Sequence, residues 1–361
     1  MLIAKLEAYD FDYISLKVVA SYLKKRYQRV RINSRYSSWY EIIFGVPQGS
    51  ILGPLLFNIY LCDFFFFLEN SNIVNYADDN TPYAMACDVE SVVAKLEREY
   101  NILFQWLKFN YLKANPDKSH LLLNEKDPNL FAMVNNHKIT NSETVKMLGI
   151  TIDNELKFNE HVSKLCKKAS QKLHALSRIS HFMNLKKRRM IMNAFIQSQF
   201  GYSPLVWMFY SRDLNNRINS IHLRALQIVY SDYHSSFIEL LKLDNSFTVH
   251  ERNIQTLAIE IYKVVHNLSP EIMKEVFVLK KEKLYCSRQI FETRNVRTEH
   301  YGVDTLSFLG PKIWALVPNG MKEAKNLQEF KRRIRLWKPT KCPCRLCKTY
   351  VAGVGFVDVA H

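Results

Sequence analysis

An apolar run from Ile51 to Leu68, ILGPLLFNIYLCDFFFFL, constrains the fold of this chain more than any other segment. A run of this length must either cross a membrane or be covered by protein. It reaches membrane-spanning length only if Pro54, Asn58 and Asp63 are included, and an aspartate near the centre of a span costs about 2.5–3.5 kcal/mol. We therefore predict a buried helix packed on a sheet, with Pro54 in its first turn. A membrane protein is the alternative.

The segment after this run has the pattern of a β-hairpin with two aspartates at its tip. Apolar arms at residues 73–74 and 83–85 flank a polar tip that contains Asp78 and Asp79. Adjacent carboxylates repel each other, and a divalent cation shared with a phosphate removes that repulsion. Mg²⁺ prefers sites with one or two carboxylates that leave room for water and phosphate oxygens. A solvated turn is the alternative, because Asp and Asn favour turns through their own backbone conformation.

The net charge of +16 lies entirely in the second part of the chain. Residues 1–150 carry 16 Lys and Arg against 16 Asp and Glu, whereas residues 151–361 carry 34 against 18. This asymmetry predicts a polyanionic partner, either nucleic acid or, as the other candidate, membrane headgroups. Hydrophobic residues make up 48% of the chain, which excludes a globally disordered protein.

Two segments carry much of the excess positive charge. Residues 151–200 contain ten Lys and Arg against three Asp and Glu, including the run from Lys186 to Arg189, and residues 321–350 contain ten against two. Such segments suit contacts with a phosphate backbone, and the first favours nucleic acid more than the second. A nuclear import signal and ordinary solvated helix faces are the alternatives.

Hydrophobic periodicity predicts mixed short elements up to about residue 157 and long basic helices after it. The first part is predicted to contain a helix at 14–27, strands within 29–33 and 39–44, a helix after the N-cap Asp88, and strands at 119–123, 131–134 and 146–152. The second part is predicted to contain helices at 160–180, 186–199, 214–230 and 250–266, a loop-rich segment at 268–310 and a last helix at about 326–336.

Several motifs of the chain resemble one known family. The run GVPQGSILGPLLFNIYL from Gly45 to Leu61, followed by NYADD from Asn75 to Asp79, resembles motifs B and C of the reverse transcriptases of non-LTR, LINE-type retrotransposons. Further similarities are to motif D at Trp106-Leu107 and Asn115 to Lys118, to the motif E region at Met147 to Ile150 with Asp153 and His161, and to the helical region after the polymerase core at Tyr202 to Trp207.

The resemblance implies an RNA-directed DNA polymerase, a nucleotidyltransferase that acts on an RNA template, a DNA primer and deoxynucleoside triphosphates by a two-metal mechanism. Asp78 and Asp79 would bind the Mg²⁺ or Mn²⁺ ions, and Lys118 would protonate or shield the leaving pyrophosphate. The other implied positions are Pro47, Gln48, Gly49 and Tyr76 at the nucleotide and template, and Leu148 and Gly149 at the turn that grips the primer. A solvated turn lysine is the alternative for Lys118, and a packed aromatic for Tyr76.

One part of the family pattern has no counterpart in this chain. Reverse transcriptases need a third carboxylate from motif A, which in the family precedes a segment similar to residues 2–9. Asp10 and Asp12 follow that segment, so we do not expect them to be metal ligands. We expect an N-terminally truncated polymerase that is inactive alone, with a non-catalytic nucleic-acid-binding remnant as the alternative.

Three of the seven cysteines, Cys342, Cys344 and Cys347, lie close together near the C-terminus. The spacing is typical of zinc ligands, but a structural site needs four. The sequence does not identify the fourth, for which Cys286 and His300 are candidates. We expect thiols without metal, and zinc is possible but not favoured. The remaining cysteines are scattered, and the N-terminus is unlike a secretion signal. Both features predict an intracellular protein of the nucleus or cytoplasm. The sequence does not predict the oligomeric state.

Together these patterns predict an α+β fold in three parts. Residues 1–157 would form a partial polymerase palm, in which a small antiparallel sheet packs with helices. Residues 158–267 would form a basic, helical, thumb-like region, and residues 268–361 a loop-rich C-terminal region with a basic helix and the cysteines. Nucleic acid and nucleotides are the expected partners, and a membrane is not.

Overall fold

A computed structural model describes residues 1–47, 49–69, 72–280, 290–292, 295–339, 342–351 and 355–358. The chain divides into two compact units, Met1–Val145 and Lys146–His361. Helices and small antiparallel sheets occur in both, so the predicted α+β class is confirmed.

The first unit combines helices with two-stranded antiparallel sheets. Its helices are α1 (Leu2–Ala8), α2 (Tyr13–Leu23), α3 (Leu52–Leu61) and α4 (Val89–Phe109). Its strands are β1 (Tyr27–Gln28), β2 (Arg31–Ile32), β3 (Arg35–Tyr36), β4 (Tyr40–Glu41), β5 (Asn72–Tyr76), β6 (Asp79–Tyr83), β7 (Phe131–Val134) and β8 (His137–Thr140). The pairs are β1 with β4, β2 with β3, β5 with β6, and β7 with β8. A further hairpin, β9 (Thr144–Met147) with β10 (Ile150–Asp153), follows at the junction of the units.

Asp88 caps α4 as predicted, its carboxylate accepting a hydrogen bond from the Ser91 backbone N–H at 2.7 Å. This contact holds the pKa of Asp88 below its ordinary value, because the hydrogen bonds favour the charged form. The strand predicted at 119–123 is wrong, since Leu121 makes only a single bridge to Asn141. Leu121 and Leu123 are buried beside apolar side chains of α4, so packing against a helix replaces a sheet partner there.

The apolar run is only partly covered by protein. It forms α3 and a following 3₁₀ turn, Cys62–Phe67, with Pro54 in the first helical turn as predicted. Phe64 is buried edge-on against Trp106, with ring centroids 5.2 Å apart, but Ile51 is 95% exposed and Phe66 84%. The prediction of a helix buried on a sheet is therefore wrong for the described residues, because two-stranded sheets are too small to cover the run. Within the described part of the chain, no helix combines the length and the apolarity that a membrane crossing requires.

Lys5 neutralises the one acidic side chain of the apolar run. Its Nζ pairs with the Asp63 carboxylate at 2.7 Å and donates to the Tyr60 carbonyl oxygen at 2.8 Å. The same ammonium group lies 4.6 Å from the centre of the Trp106 ring, a favourable cation–π contact. Lys5 thus joins α1 to the end of α3 and to α4.

The second unit is mainly helical. Its helices are α5 (Asn159–Ile179), α6 (Leu185–Ile191), α7 (Pro204–Trp207), α8 (Arg212–Tyr230), α9 (Phe237–Asp244), α10 (Val249–Val265), α11 (Glu271–Val276), α12 (Leu306–Leu316), α13 (Asn319–Lys322) and α14 (Leu327–Ile334). Shorter turns occur at Ser180–Phe182, Met192–Ile196, Gln197–Phe200 and Glu299–Val303, and β11 (Lys348–Val351) pairs with β12 (Gly355–Asp358).

One hydrophobic core in this unit includes residues from α5 to the C-terminal cysteines, and α10 contributes more buried residues than any other described helix. Tyr262 of α10 stacks on Phe330 of α14 with centroids 4.1 Å apart, and its hydroxyl donates to the Ala324 carbonyl oxygen at 2.9 Å. The Thr248–Glu251 capping box fixes the first turn of α10. This turn is therefore a rigid part of the core.

His222 gives this core a dependence on pH. Its imidazole is 2% exposed, packs edge-on against Phe237, and has no hydrogen-bond partner for either nitrogen among the described residues. Burial, assisted by the charge of Arg252, lowers the pKa of His222 to about 3. The folded protein therefore keeps this ring neutral at pH values where the unfolded chain protonates it.

We predict that the free energy of unfolding falls as pH drops below about 6.5, the ordinary pKa of histidine, and that His222 accounts for roughly 2 kcal/mol of loss at pH 5. Denaturant unfolding at pH 7 and pH 5 measures the effect. His222→Leu should remove most of this loss, whereas His181→Gln, a change at an exposed histidine, should retain it. An unchanged pH dependence in His222→Leu would contradict the assignment.

Candidate functional site

The predicted hairpin forms and holds the two aspartates at its tip. Strands β5 and β6 pair from Asn72 with Tyr83 to Tyr76 with Asp79, which leaves Ala77 and Asp78 as a two-residue turn. Ala77 adopts a positive φ of 55°, as such a tight turn requires. The Asn75 side-chain amide donates to the Ala77 carbonyl oxygen at 3.1 Å and to Asn80 Oδ1 at 2.7 Å, so side chains below the tip fix its shape.

Both carboxylates at the tip are exposed to solvent. Among the described residues, neither Asp78 nor Asp79 has an ion pair or a side-chain hydrogen-bond partner. Tyr76, opposite Asp79, is 65% exposed, so the alternative of a packed aromatic is wrong. The described residues bring no third carboxylate, histidine or cysteine to this tip, since the one group of three or more such side chains that they form lies elsewhere. The tip therefore presents two hard oxygen ligands to solvent.

The loop before α3 is shaped by two glycines with positive φ and by hydrogen bonds of the Ser50 side chain. Gly45 and Gly49 both have positive φ, 76° and 78°. Ser50 Oγ donates to the Pro47 carbonyl oxygen at 2.7 Å and accepts from the Gly53 N–H at 3.0 Å, which closes the loop onto the helix start. A side chain on Gly53 would collide with both groups. Gln48 lies outside the described residues.

Lys118 lies in a 3₁₀ turn, Pro116–Lys118, and its side chain is exposed. Its backbone N–H donates to the Asn115 carbonyl oxygen at 3.1 Å, and the Asp117 N–H donates to Asn115 Oδ1 at 3.1 Å. Asn115 thus fixes the turn and leaves the ammonium group of Lys118 free of ion pairs within the described chain. An exposed ammonium group without an ion pair is consistent both with the catalytic role and with a solvated turn lysine.

The turn at Leu148 and Gly149 is held by an aromatic side chain of the second unit. Both residues have positive φ, 46° and 85°, which matches the two-residue turn between β9 and β10. The Tyr202 hydroxyl donates to the Leu148 carbonyl oxygen at 2.7 Å. Sequence reasoning singled out Leu148 and Gly149 by resemblance alone and missed the support from Tyr202.

Asp153 and His161, which lie beside this turn in sequence, have structural contacts. The Asp153 carboxylate accepts backbone hydrogen bonds from Lys157 at 2.9 Å and Phe158 at 2.6 Å, which shapes the entry to α5. His161 Nδ1 accepts from the Thr151 N–H at 3.2 Å. Burial and the nearby Lys164 and Lys168 lower the pKa of His161 below its ordinary value, consistent with a neutral ring that accepts this bond.

The basic run from Lys186 to Arg189 divides between two roles. Arg189 pairs with the buried carboxylate of Asp244 at 2.8 Å, and Arg188 donates to the Ile228 carbonyl oxygen at 2.9 Å and to Ser231 Oγ at 2.6 Å. These two arginines therefore join α6 to α8 and α9. Lys186 and Lys187 are exposed and form no ion pair among the described residues. The same is true of Lys167 and Lys168 in α5. Four lysines thus remain available for an anionic partner.

The three C-terminal cysteines converge on one histidine that no sequence pattern had selected. His250 lies in the first turn of α10, and its Nε2 is 4.0 Å from Cys342 Sγ, 3.3 Å from Cys344 Sγ and 3.2 Å from Cys347 Sγ. His300, one of the predicted candidates, instead contacts the Glu155 carbonyl oxygen through Nε2 at 2.7 Å. Cys286 lies outside the described residues. Because His250 lies 92 positions before Cys342, no spacing pattern pointed to it.

Comparison with protein families gives a match over the part of the chain that contains the hairpin. Residues 1–152 match the family described as reverse transcriptase (RNA-dependent DNA polymerase). No solved structure matches the chain significantly.

Three curated proteins of Drosophila melanogaster are similar to this chain. The probable RNA-directed DNA polymerase from transposon BS is 28% identical over 59% of the chain and 25% of its own length. The RNA-directed DNA polymerase from mobile element jockey is 27% identical over 41% of the chain and 17% of its own length. The probable RNA-directed DNA polymerase from transposon X-element is 24% identical over 59% of the chain and 24% of its own length. The matched region thus spans a quarter or less of each relative.

We predict that Gly149→Ala destabilises the second unit by about 1–2 kcal/mol, because a Cβ is strained at positive φ. Its methyl group would meet Tyr202 only at an ordinary contact distance of 3.7 Å, so the cost comes from the backbone. Denaturant unfolding measures it. Gly320→Ala, at an exposed helical position with open space for a Cβ, is the matched control and should not destabilise. Equal effects of the two substitutions would contradict the prediction.

Proposed function

We propose that residues 1–152, which match the reverse transcriptase family, contribute the metal-binding hairpin of an RNA-directed DNA polymerase of the non-LTR retrotransposon type that the sequence motifs resemble. The observation that carries the proposal is the tight turn that exposes the consecutive residues Asp78 and Asp79 without a side-chain partner in the described chain. The chain alone lacks a third carboxylate at this tip among its described residues, so we expect it to be inactive by itself.

The donor set at the tip fits Mg²⁺ or Mn²⁺. Carboxylate oxygens are the ligands that these ions prefer, and one or two carboxylates suffice when phosphate oxygens complete the shell. Bound ions would activate the primer 3′-hydroxyl and stabilise the charge of in-line nucleotidyl transfer. Asp78 at the turn is proposed as the principal ligand and Asp79, at the first paired position of β6, as the second.

The remaining proposed roles follow from the resemblance of these positions to the motifs of the family. Pro47, Gln48 and Gly49 would contact the incoming nucleotide and the template, and Tyr76 would lie beside the metal ions. Leu148 and Gly149 would grip the primer through the turn that Tyr202 supports. Lys118 would donate a proton to the leaving pyrophosphate or shield its charge.

We place the proposed palm in residues 1–157, a thumb-like region in 158–267 and a C-terminal region in 268–361. RNA template, DNA primer and deoxynucleoside triphosphates are the proposed partners, in the nucleus or cytoplasm. Contact with the nucleic acid backbone is supported by four lysines of α5 and α6 that are exposed and form no ion pair in the described chain, Lys167, Lys168, Lys186 and Lys187, because such cations can reach phosphate oxygens.

We predict that the chain alone does not extend a DNA primer on an RNA template with Mg²⁺ or Mn²⁺. A fusion to the segment that precedes the matched region in one of the similar Drosophila proteins should extend it, because that segment would supply the missing carboxylate. In the fusion, Asp78→Asn should lower the rate at least about 100-fold, since metal stabilisation of the transition state is worth several kcal/mol. Primer extension on gels measures this.

Asp10→Asn is the matched control, because Asp10 is an exposed carboxylate at positive φ, a conformation that asparagine tolerates. Its fusion should keep full activity. Strong extension by the chain alone that Asp78→Ala abolishes would refute the predicted inactivity. An active fusion that is insensitive to Asp78→Asn would refute the site. An inactive fusion that still binds RNA would favour the non-catalytic binding protein.

We also predict that Lys186→Ala with Lys187→Ala weakens binding of single-stranded RNA. The slope of the logarithm of affinity against the logarithm of salt concentration should become shallower by about 0.7 for each phosphate contact removed. Fluorescence anisotropy over a range of salt concentrations measures the slope. Lys242→Ala with Lys274→Ala removes the same charge from two other helices, α9 and α11, and should leave the slope nearly unchanged. Equal effects of both pairs would show that only net charge matters.

A further inference from the structure

The C-terminal cysteine cluster and His250 have the geometry of a metal site rather than of a hydrogen-bonded cluster. The ligand atoms of Cys342, Cys344, Cys347 and His250 all lie within 4.8 Å of one another. Three sulfur atoms approach the single Nε2 atom at 3.2–4.0 Å. An imidazole nitrogen has either one proton or one lone pair, so it forms one good hydrogen bond and not three. One central cation would account for all three approaches.

The distances fit a tetrahedral zinc ion. With Zn–S near 2.3 Å and Zn–N near 2.0–2.1 Å, tetrahedral geometry places nitrogen and sulfur about 3.6 Å apart and two sulfurs about 3.8 Å apart. The three N–S distances of 3.2, 3.3 and 4.0 Å bracket the first value. Three thiolates and one imidazole also form a donor set that favours zinc over Mg²⁺, which prefers oxygen.

The surroundings are those of a closed structural site. Cys342, Cys344 and His250 are buried, and Cys347 is half-buried, so solvent has little access to the centre. The Thr248–Glu251 capping box fixes the helical turn that carries His250. Four protein ligands leave no open position for substrate, which distinguishes a structural zinc from a catalytic one.

Neighbouring contacts show what the site would stabilise. The segment after α14 returns along α10: the Gln255 amide donates to the Trp337 carbonyl oxygen at 2.7 Å, and Lys338 pairs with Glu251 at 3.7 Å. Arg345, within the cysteine segment, pairs with Asp304 at 3.6 Å. The cysteines end this path at His250, near the start of α10.

We propose that His250, Cys342, Cys344 and Cys347 bind one structural Zn²⁺ that fastens the C-terminal segment to α10. The ligand set joins residues more than ninety positions apart, so the ion closes a long chain loop in the second unit. Removal of the metal would therefore loosen the packing of this segment on the core.

The test uses the full chain, purified from zinc-supplemented cells and dialysed against metal-free buffer. Elemental analysis should find about one zinc per chain in the unaltered protein. The variants Cys344→Ser and His250→Gln should each contain less than about a tenth of a zinc ion per chain. His250→Cys should retain about one, because four thiolates also form a tetrahedral zinc site. A far-UV circular dichroism spectrum of His250→Gln that matches the unaltered protein would show that its zinc loss is not a failure to fold.

The double variant Cys62→Ser, Cys87→Ser is the matched control, since both cysteines are exposed and lie in the first unit. It should keep its zinc. Replacement by Co²⁺ should give the visible absorption bands of a tetrahedral ion with thiolate ligands in the unaltered protein and not in His250→Gln. Unaltered protein with less than about a tenth of a zinc, or full zinc content in His250→Gln, would overturn the proposal.

Discussion

The exposure of two consecutive aspartates at one tight turn is the constraint on which the account of the first unit depends. The turn at Ala77 and Asp78 presents Asp78 and Asp79 together in solvent, and the Asn75 and Asn80 side chains fix the backbone that carries them. Among the described residues no cation pairs with these carboxylates, and the hairpin is held by its backbone pairing and by the Asn75 side chain. A divalent ion bound together with a phosphate is the partner that such a pair suits best.

The local elements of the chain were predicted better than its packing. The hairpin, the helix cap at Asp88 and the long helices of the second unit depend on local patterns, and local patterns can be read from one sequence. The covering of the apolar run depends on how large the neighbouring sheet is, and that is not a local property. Exposure of Ile51 and Phe66 follows from sheets of only two strands.

Long-range partners explain the other differences between prediction and structure. The run from Lys186 to Arg189 looks uniform in sequence, yet Asp244 recruits Arg189, and the C-terminal end of α8 binds Arg188. Likewise, the cysteine spacing is typical of zinc ligands, but His250, which the structure places beside the cysteines, is remote in sequence. In each case the deciding residue is brought near by the packing of helices, which periodicity alone does not specify.

The central claim is that the hairpin tip is a divalent metal site, and paramagnetic NMR of the isotope-labelled chain tests it most directly. Substoichiometric Mn²⁺ should broaden the backbone amide signals of residues 76–80 before all others. The double variant Asp78→Asn, Asp79→Asn should lose this selective broadening while the rest of its spectrum is unchanged. Broadening that is absent from the tip, or that persists equally in the double variant, would contradict the claim.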